Sequence, residues 1–297
     1  MKNYLRLSHI ATAIAVASLT FLATGADASF VELGQAGQFA ALTTYIGTHG
    51  PDVGIGSEAT TITGNVGLGP YSGGSAIKAT INGNLYVDTN SHTDIHSDLH
   101  VTGTIFFNQN LAGAVADAFS ASDFFASLAP MQTYGNIGGA FTFNGIDGRN
   151  VIAINSVNTH DTLTINGSAN SQFVFNISSG FILNGGSIVL TGGVTADNIL
   201  FNLNGAGEGV TLNKPVGFAY GTFLAPSRDI ILDKATLIGA VIGGGDGRFV
   251  IHSGATLINP IPEVSFSGLW IGFAGLICAF HVRRRWVRAA SAVSKRR

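Results

Sequence analysis

Cysteine is nearly absent from this sequence, which has a single one, Cys278, among 297 residues. Because Cys278 lies near the C-terminus, the body that precedes it can form no disulfide. Thiol catalysis and cysteine-ligated zinc are excluded from the body for the same reason. Packing alone must stabilise its fold.

Charged residues are also scarce, at 11% of the chain, whereas 46% of the residues are hydrophobic. Disordered chains have the opposite composition, so we expect a folded protein. Between residues 29 and 261 the chain has 15 acidic and 6 basic residues, a net charge of −9. Nucleic acids bind clusters of Lys and Arg, so we expect no nucleic-acid partner for this acidic body.

Glycine, in contrast, is abundant, and short phrases built around it recur. TITGNV at residues 61–66 returns as TINGNL at 80–85, and VTGTI follows at 101–105. The glycines recur every 18 to 20 residues, about one coil of a β-solenoid with three short strands per coil. They are Gly64, Gly83 and Gly103, the pair Gly167 and Gly185, and the pair Gly221 and Gly239. We predict an all-β fold, a right-handed β-solenoid over residues 29–259, with a β-sandwich as the alternative.

One segment, residues 111–131, breaks the β pattern. Its apolar residues recur every three to four positions instead of alternating, which predicts one α-helix that flanks the solenoid. Ser122 and Asp123 predict a cap or a bend within it. The apolar positions are Leu111, Val115, Ala118, Phe119, Phe125 and Leu128.

The N-terminus has the pattern of a cleavable signal peptide. A basic start is followed by an uncharged apolar stretch at residues 10–23 and by the small residues Ala26 and Ala28. The stretch is shorter than the roughly 20 residues that span a bilayer. We predict a signal helix in residues 1–28, cleavage after Ala28 by signal peptidase, and export across the inner membrane.

A second apolar run, residues 266–282, lies near the C-terminus. Arg283, Arg284 and Arg285 follow it at once and begin a basic end at residues 283–297. Positive charge directly after an apolar span retains that side in the cytoplasm. We predict a C-terminal transmembrane helix that holds the chain weakly, because the run is at the lower limit of spanning length.

The phrase PIPEV at residues 260–264 precedes this run. The motif, the apolar span and the arginines together resemble the PEP-CTERM sorting signal of Gram-negative bacteria, and the resemblance implies that residues 260–297 are a sorting tail. The resemblance implies that an exosortase-type enzyme recognises Pro262 and Glu263 and releases a membrane-anchored precursor to the cell surface or extracellular matrix. Val264 stands where that family has a second proline.

The body resembles two related groups of surface proteins. FAAL at residues 39–42 and TITGNVG at 61–67 are similar to the opening of ice-binding-like β-helical adhesins. NILFN at 198–202, GTFLAP at 221–226 and GAVIGG at 239–244 are similar to the choice-of-anchor A family. Both resemblances imply a β-helical protein of the cell surface, and neither defines an activity.

The phrase HTDIHSDLH at residues 92–100 has His or Asp at every even position. On a strand, this alternation places three imidazoles and two carboxylates on one face. On a helix, His92, His96 and His100 would form a stripe able to chelate zinc or nickel. A solvated face without metal is the simpler interpretation, and we predict no cofactor.

Carboxylates elsewhere are scattered along the chain. A carbohydrate-active β-helix enzyme would cluster acids on one face, as glycoside hydrolysis requires. Asp229 and Asp233 instead each neighbour a base, Arg228 and Lys234, which predicts surface ion pairs. We therefore predict no catalytic residues and keep such an enzyme only as an alternative.

Threonine recurs in the first coils, which suggests ice binding as an alternative function, because a flat face of regular Thr can order water. The positions are Thr43, Thr44, Thr60, Thr61, Thr63 and Thr80. Their spacing in the sequence is irregular, and no Thr-x-Thr array persists over several coils. We therefore prefer a non-catalytic structural or adhesive surface protein, with exopolysaccharide or another surface molecule as its partner.

Overall fold

A computed structural model describes residues 32–45, 47, 49–213, 217–245 and 247–259. The predicted signal peptide and sorting tail, with the residues named for their cleavage and topology, lie outside the described residues. Within the described part of the chain, no helix is long and apolar enough to cross a membrane.

The body consists almost entirely of short parallel strands, because β-branched and aromatic residues alternate with polar ones between Gly and Asn turns. Nineteen of the strands belong to one sheet and three to another. The strands are β1 (Ala41–Thr44), β2 (Asp52–Thr63), β3 (Val66–Leu68), β4 (Gly73–Asn82), β5 (Leu85–Asp88), β6 (Asp94–Ile95), β7 (His100–Val101), β8 (Ile105–Gln109), β9 (Gln132–Ile137), β10 (Phe141–Asn144), β11 (Gly148–Thr159), β12 (Thr162–Asn166), β13 (Ser171–Ile177), β14 (Phe181–Asn184), β15 (Ser187–Thr191), β16 (Ile199–Asn202), β17 (Val210–Asn213), β18 (Phe218–Ala225), β19 (Ile230–Asp233), β20 (Thr236–Gly244), β21 (Arg248–His252) and β22 (Thr256–Ile258).

The pairing arranges these strands on three faces, and each coil of the chain visits them in turn. Face A stacks β6, the starts of β4 and β2, β21, β19, β17, β14 and the ends of β11 and β9. Face B stacks β7, the ends of β4 and β2, β22, the starts of β20 and β18, β15, β12 and β10. Face C stacks β8, β5, β3, β1, the ends of β20 and β18, β16, β13 and the starts of β11 and β9. The predicted β-solenoid is confirmed, and the sandwich alternative is wrong.

The order of coils in the stack differs from their order in the sequence. The coil that begins with β21 and β22 is completed on face C by β1, which pairs with both β20 and β3. Ala41 is thereby paired with Val241, and the Asn259 backbone N–H donates to the Thr63 carbonyl at 3.0 Å. The first coils of the chain consequently stack on the last ones, in the middle of the solenoid.

The core lies inside the coils, where every second residue of a strand is buried. It contains a column of phenylalanines in three consecutive rungs, Phe175, Phe201 and Phe223. Neighbouring ring centroids are 4.9 and 4.6 Å apart, and the planes are within 12° of parallel. These distances are close to the separation of hydrogen-bonded strands, about 4.8 Å, so the spacing of the strands sets the spacing of the stacked rings.

Glycine is required at the corner between faces B and C, because the corners of successive coils touch. A Cβ added to Gly239 would lie 2.0 Å from the Gly221 carbonyl oxygen, and φ at Gly239 is +150°. This contact explains the 18-residue repeat between those two glycines. The 18-residue spacing of Gly167 and Gly185 does not reflect such a contact, because Gly167 is adjacent to Gly192 at this corner. Gly185 lies instead at the corner between faces A and B.

The predicted flanking helix exists, although it is shorter than the predicted range 111–131. Helix α1 (Ala112–Ala126) lies on face C with a short 3-10 helix, Gly34–Gln38. Ser122 is not a cap but lies within α1, where its Oγ is buried and donates to Asn202 Oδ1 at 2.7 Å. The apolar layer between α1, the 3-10 helix and the sheet comprises Leu33, Ala36, Phe39, Leu42, Leu111, Ala114, Ala118, Ala121, Phe125, Val174, Leu200, Leu224 and Ile242.

Candidate functional site

Face B has a column of threonines that no stretch of sequence contains. Thr236, Thr256, Thr61 and Thr80 occupy the same outward position in four consecutive rungs and are paired directly with one another. All four are partly exposed. We name these four residues the Thr column.

A second outward column lies two residues further along the same strands. It contains Ile238, Ile258, Thr63 and Asn82 in the same four rungs. Rungs are about 4.8 Å apart and alternate residues of a strand about 6.8 Å apart, so the eight side chains form a regular grid of hydroxyl, methyl and amide groups. No charged residue occupies any of these eight grid positions.

The grid rests on a rigid support. The side chains between the two columns, Leu237, Leu257, Ile62 and Ile81, point inward and are fully buried. Helix α1 covers face C and leaves face B open. Face B therefore presents a preorganised grid to solvent, because its backbone is fixed by hydrogen bonds to both neighbouring rungs and the χ1 angles of Thr are restricted.

Three of the six threonines that suggested this function are not on the surface. Thr43, Thr44 and Thr60 are buried and bond internally; Thr44 Oγ1, for example, donates to the Pro226 carbonyl at 2.9 Å. Sequence reasoning missed Thr236 and Thr256 altogether. The phrase Thr-Ile or Thr-Leu just before a corner recurs in all four rungs and could have indicated them.

The predicted His and Asp face is divided between two faces of the end coil. β6 ends at Ile95 and β7 begins at His100, so Asp94 lies on face A and His100 on face B. His96 Nε2 is 3.6 Å from Asp94 Oδ2, and both side chains are largely exposed. His92 is exposed as well. Among the described residues, no three His, Cys, Asp or Glu side chains lie close enough to hold a metal ion.

The ion pairs predicted between sequence neighbours do not form. Asp229 pairs instead with Arg248 of the next coil, at 3.0 Å, and Asp233 lies 3.9 Å from His252. Arg228 is buried, with 3% of its surface exposed. The prediction was wrong because Arg228, in the corner between β18 and β19, turns toward the carbonyls of the preceding coils, whereas Asp229 faces Arg248 of the next coil.

Arg228 binds backbone carbonyls at the corner between faces C and A. Nε donates to Gly205 at 2.9 Å, Nη1 to Ser179 and to Glu208, and Nη2 to Ser178 and to Asn204. All five donors of the guanidinium are thus satisfied, and the acceptors belong to the two preceding coils. Burial lowers the pKa of Arg228.

A cavity of about 330 Å³ adjoins this cluster, between the end of α1 and the sheet. Its polar lining comes mainly from Asn176, Asn202 and Asn204. Asn202 bonds Ser122, and Asn176 Nδ2 donates to the Phe125 carbonyl at 2.8 Å. These side chains hold the helix to face C, so the cavity has a structural explanation.

The described residues form a parallel β-solenoid with a helix on one face and a grid of Thr on another. The model of the ice-binding-like family matches residues 51–245, about two thirds of the chain. The chain belongs to the ice-binding-like family. The resemblance of the body to ice-binding-like β-helical proteins is thereby confirmed. No curated protein matches the sequence.

Solved structures of ice-binding proteins share the fold. The protein of the Antarctic ascomycete Antarctomyces psychrotrophicus is 21% identical, with 77% of this chain and 97% of that chain covered and a TM-score of 0.53. The glycosylated ice-binding protein LeIBP from Arctic yeast is 23% identical, with 81% and 99% covered and a TM-score of 0.54. The ice-binding protein of an Antarctic Flavobacteriaceae bacterium is 21% identical, with 78% and 48% covered and a TM-score of 0.51.

Proposed function

We propose that this protein binds ice through face B, with the Thr column and its neighbouring column as the contact surface. The observation that carries this proposal is the alignment of Thr236, Thr256, Thr61 and Thr80 in consecutive rungs of a face that no described helix covers. The family and the ice-binding structures of the same fold support it. They favour ice binding over the structural or adhesive function that we preferred from the sequence.

The chemistry of the grid suits a crystal of water. Each contact of a hydroxyl or methyl group with ordered water contributes little, so affinity requires many contacts made at once by a surface that does not lose entropy on binding. A rigid solenoid face provides such a surface. Charged groups would organise water around themselves, and the four rungs of the grid have none at their outward positions.

Replacing Thr61 and Thr256 by Arg tests the proposal, because two long cations would disrupt the middle of the grid. We expect the double variant to need at least about tenfold more protein to inhibit ice recrystallisation, equivalent to a loss of about 1.4 kcal/mol. Thr→Val and Thr→Ser at the same positions separate the contributions of hydroxyl and methyl. The measurement is ice recrystallisation together with thermal hysteresis.

Thr211→Arg is the matched control, because Thr211 is a partly exposed outward residue in the middle of face A. We expect it to retain activity. Equal loss in the control and in the double variant would contradict the assignment to face B. Wild-type protein that neither shapes ice nor inhibits recrystallisation would contradict ice binding itself and restore the adhesive hypothesis.

We further propose that the chain is exported and that its tail is processed, on the evidence of the sequence signals alone. The mass of the protein from its native host is expected to correspond to a chain from about Ser29 to near Glu263. A variant with Arg283, Arg284 and Arg285 replaced by Ala should not yield this form. A full-length C-terminus retained in the membrane would contradict processing and leave a simple anchor.

A further inference from the structure

Face B has an aromatic patch that the ice-binding grid does not explain. In the rung next to Thr236, the outward positions are occupied by Phe218 and Tyr220. The Phe218 ring is 49% exposed, and its centroid lies 6.1 Å from that of Tyr220 at a tilt of 47°. Val189, 40% exposed, extends the apolar surface on the far side. Exposed aromatic side chains in contact with each other are the kind of apolar surface that binds partners.

Two lysines border the same face, at the corner between faces A and B. Lys234 and Lys78 are exposed, and among the described residues neither has an ion-pair partner. Lys234 lies just before β20, whose first residue, Thr236, pairs with Phe218. Lys78 lies at the same corner three rungs further, about 14 Å along the solenoid axis. The body otherwise has a strong excess of acidic residues.

The two lysines have left-handed backbone at this corner. φ is +55° at Lys234 and +47° at Lys78, in the left-handed region that favours glycine. The equivalent position after β14 is indeed a glycine, Gly185, at +86°. Ala59 and Ser253, in the two rungs between them, have φ values of +67° and +58°, so the corner imposes this conformation on whichever residue is placed there. The two lysines differ from these residues in bringing exposed positive charge to the border of face B.

We propose that Phe218, Tyr220 and Lys234, extended by Lys78, bind an anionic polysaccharide whose sugars carry carboxylates. The C–H faces of a pyranose ring are apolar and pack on aromatic rings, while its hydroxyls remain free for polar neighbours such as Thr236. The two lysines lie along the edge of face B that adjoins face A, where they can form ion pairs with the carboxylates of the bound polymer. The net negative charge of the body does not oppose this, since salt limits electrostatic interactions to about 8–10 Å.

Binding of the purified full chain to polygalacturonate tests the proposal, with the methyl-esterified polymer as the matched uncharged probe. We expect Phe218→Ala to weaken binding to polygalacturonate by about tenfold or more, and Lys234→Gln to weaken it severalfold, increasingly so with Lys78→Gln. Added salt should reduce wild-type binding and leave the double lysine variant nearly unchanged. Phe124→Ala, a 52% exposed phenylalanine on α1, is the control and should bind normally.

Three results would overturn the proposal. They are equal binding of the esterified and the charged polymer, unchanged binding by Phe218→Ala, and concentration-dependent self-association of the wild type that Phe218→Ala abolishes. The last result would assign the patch to a second copy of the chain. Ice recrystallisation by Phe218→Ala is expected to remain normal, because the Thr column is intact, so this proposal can fail independently of ice binding.

Discussion

Replacing Arg228 by Met is expected to lower the free energy of unfolding by about 3 to 5 kcal/mol. The guanidinium satisfies five backbone carbonyls from two neighbouring coils, and a thioether satisfies none. A buried carbonyl left without a partner costs roughly 1 to 3 kcal/mol. Water from the adjoining cavity will hydrate some of these carbonyls, so the five costs will not add in full. Arg228→Lys should fall between Met and wild type, because an ammonium has three donors on one atom.

Arg248→Met is the control for charge. Arg248 forms one ion pair, with Asp229, and its side chain is 60% exposed, so we expect a loss below about 1 kcal/mol. Equilibrium urea unfolding followed by far-UV circular dichroism measures both variants, and amide hydrogen exchange at residues 178–180 and 204–209 reports local opening. An effect of Arg228→Met no larger than that of Arg248→Met would contradict the role assigned to the buried guanidinium.

The solenoid and the helix could be predicted from sequence because their signals are local. The glycines at the B–C corner repeat once per coil, since each must let the next corner approach, as Gly239 does with Gly221. The spacing of apolar residues around Val115 and Ala118 identified α1 because a helix buries one side of itself. Its end was overestimated, since the apolar residues of the following turn, such as Leu128, pack beside the helix without being part of it.

The candidate site could not be predicted because it depends on which coils are neighbours. Thr61 and Thr256 are separated by almost the whole body in the sequence and are paired in the structure. This contact exists only because β1 completes the last coil, a long-range closure that no local pattern encodes. The array of threonines therefore looked irregular along the chain, although it is regular on face B.

Arg228 illustrates a second limit, since residue type suggested the wrong environment. Arginine is rarely buried, and an Asp follows it, so an exposed ion pair was the natural expectation. The corner after β18 instead turns the side chain back over two coils whose carbonyls lack partners in the sheets. A position of this kind can be recognised only once the acceptors are in place, because they come from residues 178–208.

Phe201→Ala is expected to cost about 3 to 5 kcal/mol, because it removes the middle ring of the stacked column in the core. Phe201 is 2% exposed and contacts Phe175 and Phe223 above and below, with Phe181 at 5.0 Å to the side. The backbone rungs are fixed by hydrogen bonds, so the neighbouring rings cannot close the cavity. Phe201→Leu, which keeps most of the volume, should cost about 1.5 kcal/mol or less.

Phe124→Ala is the control for this prediction, because Phe124 lies half exposed on α1 and has one aromatic neighbour, Phe125. We expect it to cost less than about 1 kcal/mol. If Phe201→Ala cost no more than that, the coils would have to move together to fill the space, and face B would have to be regarded as deformable. A full-sized loss would instead support a rigid core, and a rigid core is what the Thr column needs in order to present a fixed grid.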